Sequence, residues 1–363
     1  MQPGYGSAAW GVSADGRVVV GVSGFAGQRR AFIWREASGM QPLPVFADAA
    51  GSEAWNVSDD GWYVVGTILN SSWQYQNIRW DVQANTYENL GTFGGGEGRA
   101  FSVSANGSVV SGYAFSASGP YFAYRWTQGS GLISSGVPYS WAYGISADGQ
   151  TVVGLYYTTG MRAFRWRGMT FEEIGVGAAY ACNANGTVVV GITFVGNVQK
   201  AFVWREGQGM SLLPDIGNVA TANDVSDDGS IIVGEATQPG VGRRATRWIN
   251  GVLEDLNTTY ADLLADGSTL YTATRISATG RYIVGFGRNA ATGVDEAYLL
   301  DTARCIPHNG DVDNNSCVDD ADLLRVLFAF GQTGSALPED VNCDGIVDDA
   351  DLLIVLFNFG IGC

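Results

Sequence analysis

The chain repeats itself seven times, and this limits its fold more than any other feature of the sequence. "AWGVSADGRVVVG" (9–21) returns as "AWNVSDDGWYVVG" (54–66), "AFSVSANGSVVSG" (100–112), "AYGISADGQTVVG" (142–154), "AYACNANGTVVVG" (179–191), "ANDVSDDGSIIVG" (222–234) and "ATRISATGRYIVG" (273–285). Every copy has an Ala seven residues before its turn glycine and a second Gly five residues after it. The turn glycines are Gly16, Gly61, Gly107, Gly149, Gly186, Gly229 and Gly280, spaced 37 to 51 residues apart.

The copy reads as a hairpin, because Asp-Gly or Asn-Gly, which precedes a β-branched run in six of the seven, tolerates the positive φ of a tight turn. A third strand follows ("AFIW" 31–34, "NIRW" 77–80, "AYRW" 123–126, "AFRW" 163–166, "AFVW" 201–204, "ATRW" 245–248, "AYLL" 297–300), and then a short fourth such as "MQPLP" (40–44). Four strands in roughly 40 residues make one blade of a propeller. The expected fold is therefore all-β, a seven-bladed β-propeller of four-stranded blades, followed by a small α-helical module. The seventh copy stops after its third strand, so Met1–Gly6 is expected to supply a fourth and remove an exposed edge. An open solenoid is the alternative, but it needs capping repeats and the sequence has none.

The pattern Ala-x-x-Val-Ser-x-x-Gly-(x)4-Gly, followed by Ala-Phe-x-Trp, resembles the HAF-type extracellular repeat over residues 1–300. The resemblance implies secretion and a propeller-like fold, and it implies no reaction.

The tail differs in kind. Residues 305–363 hold ten Asp and one Glu against one Arg, and four of the five cysteines. The expected division is a propeller over 1–301, a linker over 302–308 and a module over 309–363. Counted from Asp311, oxygen donors fall at loop positions 1, 3, 5, 9 and 12: Asp311, Asp313, Asn315, Asp319 and Asp322. Counted from Asp340 they are Asp340, Asn342, Asp344, Asp348 and Asp351. Cys317 and Ile346 stand at position 7, where the backbone carbonyl is the ligand. This is EF-hand spacing, and hard oxygen donors so placed select Ca²⁺. Val318 and Val347, at position 8, point inward. Ser316 replaces the turn glycine of the first loop, which predicts strain there.

The duplicated loop-helix, "DVDNNSCVDDADLL" then "DVNCDGIVDDADLL", resembles a type I dockerin over 309–360. The resemblance implies two Ca²⁺ ions that fold the module and a cohesin-like protein or cell-surface scaffold as partner. In place of the usual polar recognition residues stand Asp-Ala, then Phe328-Ala329 and Phe357-Asn358. Cys305, Cys317, Cys343 and Cys363 read as two disulfides of an oxidising compartment. Of three possible pairings, Cys305–Cys363 with Cys317–Cys343 is favoured. Zinc is the alternative, without a CxxC spacing to support it. Cys182 takes a place that is Val or Ile in other copies and reads as a buried free thiol.

The net charge of −16, with Lys200 the only lysine, argues against nucleic acid or an anionic membrane as partner. No apolar run is long enough to insert in a membrane. The expected setting is extracellular, with an export signal missing from this chain, and a monomer is expected. In the propeller, the turn residues Asp15, Asp60, Asn106, Asp148, Asn185 and Asp228 read as turn geometry. Trp34, Trp80, Trp126, Trp166, Trp204 and Trp248 read as packing between blades, and Arg79, Arg125, Arg165 and Arg247 as pairing with neighbouring blades. Loop aromatics outside the repeat pattern, Trp73, Tyr75, Tyr121, Tyr156 and Tyr157, are the candidates for stacking on sugar rings. His308, the only histidine, lies in the linker, which disfavours a Ser-His-Asp site in the propeller. No catalytic residues are assigned. The expected function is a secreted, non-catalytic binding or adhesion protein with a possible glycan ligand, and the alternative is a dockerin-bearing polysaccharide hydrolase or lyase.

Overall fold

The structure, a computed structural model, describes residues 6–25, 27–303, 309–313, 315, 317–333 and 337–363. The chain forms two compact units, 1–300 and 301–363. Unit one is a seven-bladed propeller of up-and-down sheets. Blade one runs Ser7–Val12, Val19–Phe25, Gln28–Arg35 and Gly39–Pro42, and five further blades repeat that four-strand meander. Among the described residues the seventh blade has three strands, Thr269–Ile276, Tyr282–Asn289 and Val294–Asp301. Of the segment expected to complete it, Met1–Gly6, residues 1–5 lie outside the described residues. Ser7 nevertheless accepts a hydrogen bond at its Oγ from the Ala297 amide (2.9 Å), which ties the chain start to the last strand.

Register explains the repeat signature. In every blade the repeat Ala pairs directly with the second Gly: Ala9 with Gly21, Ala54 with Gly66, Ala100 with Gly112, and so on to Ala273 with Gly285. The two strands lie so close there that a Cβ on Gly66 would stand 2.0 Å from the Glu53 carbonyl oxygen. The turn is a four-residue loop, not the two-residue hairpin that Asp-Gly suggests. Ser58 closes it, its amide donating to the Tyr63 carbonyl (2.8 Å) and its Oγ accepting from the Tyr63 amide (3.0 Å). Asp60 accepts from the Ser58 hydroxyl and the Trp62 amide. Only the glycine takes positive φ, 75° at Gly61, so the Asp acts as an acceptor and the turn carboxylates are spent on backbone.

The blades are stapled at the turn end by backbone bonds. Ala14 donates to Asp59, Asp59 to Ala105, Ala105 to Ala147, Ala184 to Asp227, and Asp227 to Ala278, at 2.9 to 3.2 Å. The recurring Trp residues pack between blades as expected. Trp80 and Trp248 are fully buried, and their indole N–H groups donate to the Pro44 and Pro214 carbonyls of the preceding blade. Arg79 pairs with Glu88 (2.9 Å), donates to Gly107 of the next blade and lies over Tyr63. Arg165 reaches Glu172 in its own blade and Glu206 in the next. Cys182 is the buried free thiol anticipated, its pKa pushed up by burial. Among the described residues no helix is long and apolar enough to cross a membrane.

Unit two is built from two loop-helix copies, with helices Asp320–Ala329 and Asp349–Phe357. Each starts in a capping box, Asp319 with Asp322 and Asp348 with Asp351. Val318 and Val347 are fully buried in its core, as the spacing predicts. Each valine also joins the segment leaving the other copy's helix, Val318 to Gly360 and Ile361, Val347 to Gly331 and Gln332.

One expectation is overturned. Cys317 is bonded to Cys363, not to Cys343, and so Cys363 does not pair with Cys305. The reason is the interlock just described: Val318 holds Ile361 and Gly360, which brings the chain end beside Cys317, with Cα atoms 4.6 Å apart. Cys343 is also disulfide-bonded, while Cys305 lies outside the described residues.

Candidate functional site

The site begins with an irregularity in every inner strand. After the repeat Ala one residue has no partner in the second strand, so each inner strand carries a β-bulge. The surplus residues are Trp10, Trp55, Phe101, Tyr143, Tyr180, Asn223 and Thr274. A bulge re-aims its side chain out of the sheet's alternation. Here all seven turn toward the ring axis and line one cavity of about 610 Å³. Five consecutive blades present aromatics and the other two present Asn223 and Thr274, so the funnel has an apolar arc and a polar wall.

The arc is continuous. Trp10 and Trp55 stack, Trp55 meets Phe101 edge-on (5.5 Å), and Phe101 touches Tyr143 (5.3 Å), which meets Tyr180 (5.5 Å). All five are half-buried, packed from behind with one surface left to the cavity. Burial lifts the Tyr180 hydroxyl to about 12, so it remains a neutral donor. From Phe101 the contacts run outward through Tyr113 to Trp141, where Tyr121 and Tyr157 join, and Tyr139 adds to Tyr121. Tyr139 and Tyr157 are exposed, which extends the aromatic surface toward the rim.

The polar wall carries Glu235, Arg243 and Arg275, and Arg99 stands among the aromatics. Glu235 accepts from the Thr272 hydroxyl. Arg99 lies over the Tyr75 ring, 3.5 Å from its centroid. Toward the turn end lies a smaller space of about 80 Å³, lined by Asp59, Asp224, Asp227 and Cys182 among others. Burial, with the charges of Asp227, Asp60 and Asp224, pushes the Asp59 carboxyl up to about 6. Burial also raises Asp224, against the pull of Arg275.

The five loop aromatics singled out from the sequence do not line the cavity. Tyr121 and Tyr157 belong to the aromatic surface beside it. Tyr75 supports Arg99. Tyr156 donates its hydroxyl to Glu173 and packs on Phe171. Trp73 stands exposed at a turn with φ of 61°. The funnel residues were missed because the repeat itself carries them. Their signal was present: the residue after the repeat Ala is aromatic in the first five copies and polar in the last two.

In unit two, carboxylate oxygens of Asp311, Asp313 and Asp322 lie within 4.8 Å of one another. Three acids gathered so closely fit a hard cation and repel one another without it. Asp322 is oriented by the amides of Val312, Asp313 and Asp319, which outweigh burial and hold its carboxyl below the usual range. Asn315 donates its amide to Asp311 and Asp313, and its Oδ1 accepts from Cys317. In the second loop Asp340 accepts from Asp344 and Gly345, Asp351 from Asn342 and Asp348, and Gly345 takes φ of 93°. Its acids do not gather as tightly as those of the first loop. Ser316 and His308 lie outside the described residues.

No protein-family model matches the chain, and no curated protein is similar to it in sequence. Solved structures share its fold. The β-propeller domain of the trilobed protease from Pyrococcus furiosus aligns with a TM-score of 0.56 at 11% identity, over 81% of this chain and 95% of that one. An oligogalacturonate lyase in complex with manganese aligns with 0.54 at 9% identity, over 80% and 87%. The acylaminoacyl peptidase of Pyrococcus horikoshii aligns with 0.51 at 12% identity, over 78% of this chain and 50% of that one. At such identity these likenesses establish the seven-bladed propeller and nothing of its chemistry.

Proposed function

We propose that this is an exported, non-catalytic saccharide-binding protein whose propeller funnel receives a glycan and whose tail binds two Ca²⁺ ions and attaches it to a partner. One observation carries the first part: five half-buried aromatics on consecutive bulges share one cavity with hydrogen-bonding groups on the opposite wall. Sugar rings have apolar faces that lie on aromatic rings and hydroxyls that need polar partners, so a cavity divided in this way suits them. The resemblance to HAF-type repeats and to type I dockerins supports the extracellular setting and a cohesin-like or cell-surface partner. The acid cluster of the first loop supports calcium. Phe328 and Phe357, 83% and 81% exposed at matching places on the two helices, are the residues this reading gives to the partner.

The test is incubation of the full chain, with calcium, on insoluble and soluble polysaccharides, scoring both retention and released reducing ends. Retention without release, lost in Trp55→Ala, supports binding. Release of reducing ends overturns it in favour of a polysaccharide hydrolase or lyase.

A further inference from the structure

The chain is strongly acidic, and several of its buried or half-buried propeller arginines are matched by carboxylates. Arg79 has Glu88, Arg165 has Glu172 and Glu206, Arg244 has Asp255, and Arg247 has Glu254. Two arginines that line the funnel are not matched in this way. Among the described residues no carboxylate lies within ion-pair distance of Arg99, whose contacts are the Tyr75 ring and the Tyr113 hydroxyl, with Glu97 on the far side of that hydroxyl (3.5 Å). Arg275 donates only to the Asn223 carbonyl (3.4 Å), and the Nε of each guanidinium is enclosed without an acceptor. Asp224 beside Arg275 is turned to the Ile276 amide (2.9 Å) and makes no ion pair with the guanidinium. Withdrawing guanidinium groups from water without a counter-charge is costly, and an anion supplied from outside removes that cost.

We infer that the funnel takes an acidic oligosaccharide, its uronate or sulfate groups on Arg99 and Arg275 and its rings against the bulge aromatics. This rests on the saccharide reading above and narrows it. Arg99 belongs to the third blade and Arg275 to the seventh, on opposite sides of the ring. One small anion does not serve both walls, whereas a chain with an acid on successive sugars does. The charged pair thus selects for repeated acids, while the aromatic arc is indifferent to them.

Titration calorimetry on the full chain with calcium, at low salt, uses three probes: hexagalacturonate, a sulfated carrageenan hexaose and cellohexaose. At least one acidic probe is expected to bind about tenfold or more tighter than cellohexaose, and more weakly as salt rises. Arg99→Gln and Arg275→Gln are each expected to lower that affinity about tenfold, well beyond any change with cellohexaose, and to leave circular dichroism unchanged. Which acidic probe binds tells carboxylate from sulfate. Cellohexaose binding as tightly as both acidic probes, and lost in Trp55→Ala, overturns the acidic class while the saccharide site stands. Acidic probes bound equally by the Gln variants remove the two arginines from the proposal. No binding by any probe overturns both readings.

Discussion

The indole of Trp10 lies flat on the indole of Trp55, with ring centroids 4.2 Å apart and planes within 8°, across the boundary between the first and second blades. Neither ring belongs to the alternating core of its sheet, since each is the surplus residue of a bulge. The pair therefore serves as wall of the funnel and as contact between blades. Trp55→Ala is expected to cost about 1 kcal/mol of propeller stability in urea unfolding, the value of an aromatic pair, and to weaken saccharide binding together with it. Intact binding in that variant removes the arc from the site.

Gly107 separates backbone strain from packing. Its φ is 72°, and a Cβ there would stand 2.0 Å from the Tyr63 ring, itself held under Arg79. Gly39 has a φ of 65° with open space around it. Gly39→Ala is expected to cost about 1–2 kcal/mol for the left-handed backbone alone. Gly107→Ala adds overpacking and is expected to reach about 2–4 kcal/mol. Equal losses of unfolding free energy would show that the ring contact is slack.

Asp59 makes stability depend on pH. Its folded pKa of about 6 lies above the ordinary 3.8, so between those values the folded state holds a proton that the unfolded chain releases. Stability thus falls as pH rises through this window, and the whole penalty is present above it. Asp59→Asn is expected to raise the urea midpoint at neutral pH, with the gain vanishing below pH 3.8. A gain that does not change with pH contradicts the assignment.

Calcium is expected to bind with a stoichiometry of two by calorimetry, and Asp322→Ala or Asp351→Ala to leave one ion. Chelation is expected to remove the helical circular dichroism of unit two, because the gathered acids repel once the ion is gone. Persistence of that signal in chelator argues that the disulfides, not calcium, hold the module.

The Cys317–Cys363 bond spans a sequence separation of 46 residues, for which loop-closure entropy gives about 3–4 kcal/mol of stabilisation of unit two. Cys363→Ser is expected to lower the unfolding temperature of the helices and leave the propeller transition in place. Peptide mapping without reduction is expected to recover the fragment joining Cys317 to Cys363.

Much of this protein is local and was legible in sequence. The turn glycines fixed the number of blades, since positive φ is a property of one residue and its neighbours. The inter-blade roles of Trp80 and Arg79 followed from their recurrence. Counting placed Asp311, Asp313 and Asp322 in one loop of the tail, and their carboxylates do converge. The loop aromatics Trp73, Tyr75, Tyr121, Tyr156 and Tyr157 do not line the cavity. Trp73 and Tyr156 stand outside the repeat, whereas Trp10 and Phe101 lie inside it.

The sequence by itself determined the repeat, the blade, the turn chemistry and the spacing of the acidic loops, because period-two alternation and backbone preference act over a few residues. Only the tertiary structure decided that the residue after each repeat Ala is surplus, because a bulge exists only in the register between two strands. It also decided that seven such residues, spread from Trp10 to Thr274, face one axis, which requires the ring to close. The bond between Cys317 and Cys363, and the placing of Arg99 and Arg275 in the funnel without an ion pair among the described residues, have the same origin. Each is a relation between distant parts of the chain that exists only once hydrogen bonds and packing have brought those parts together.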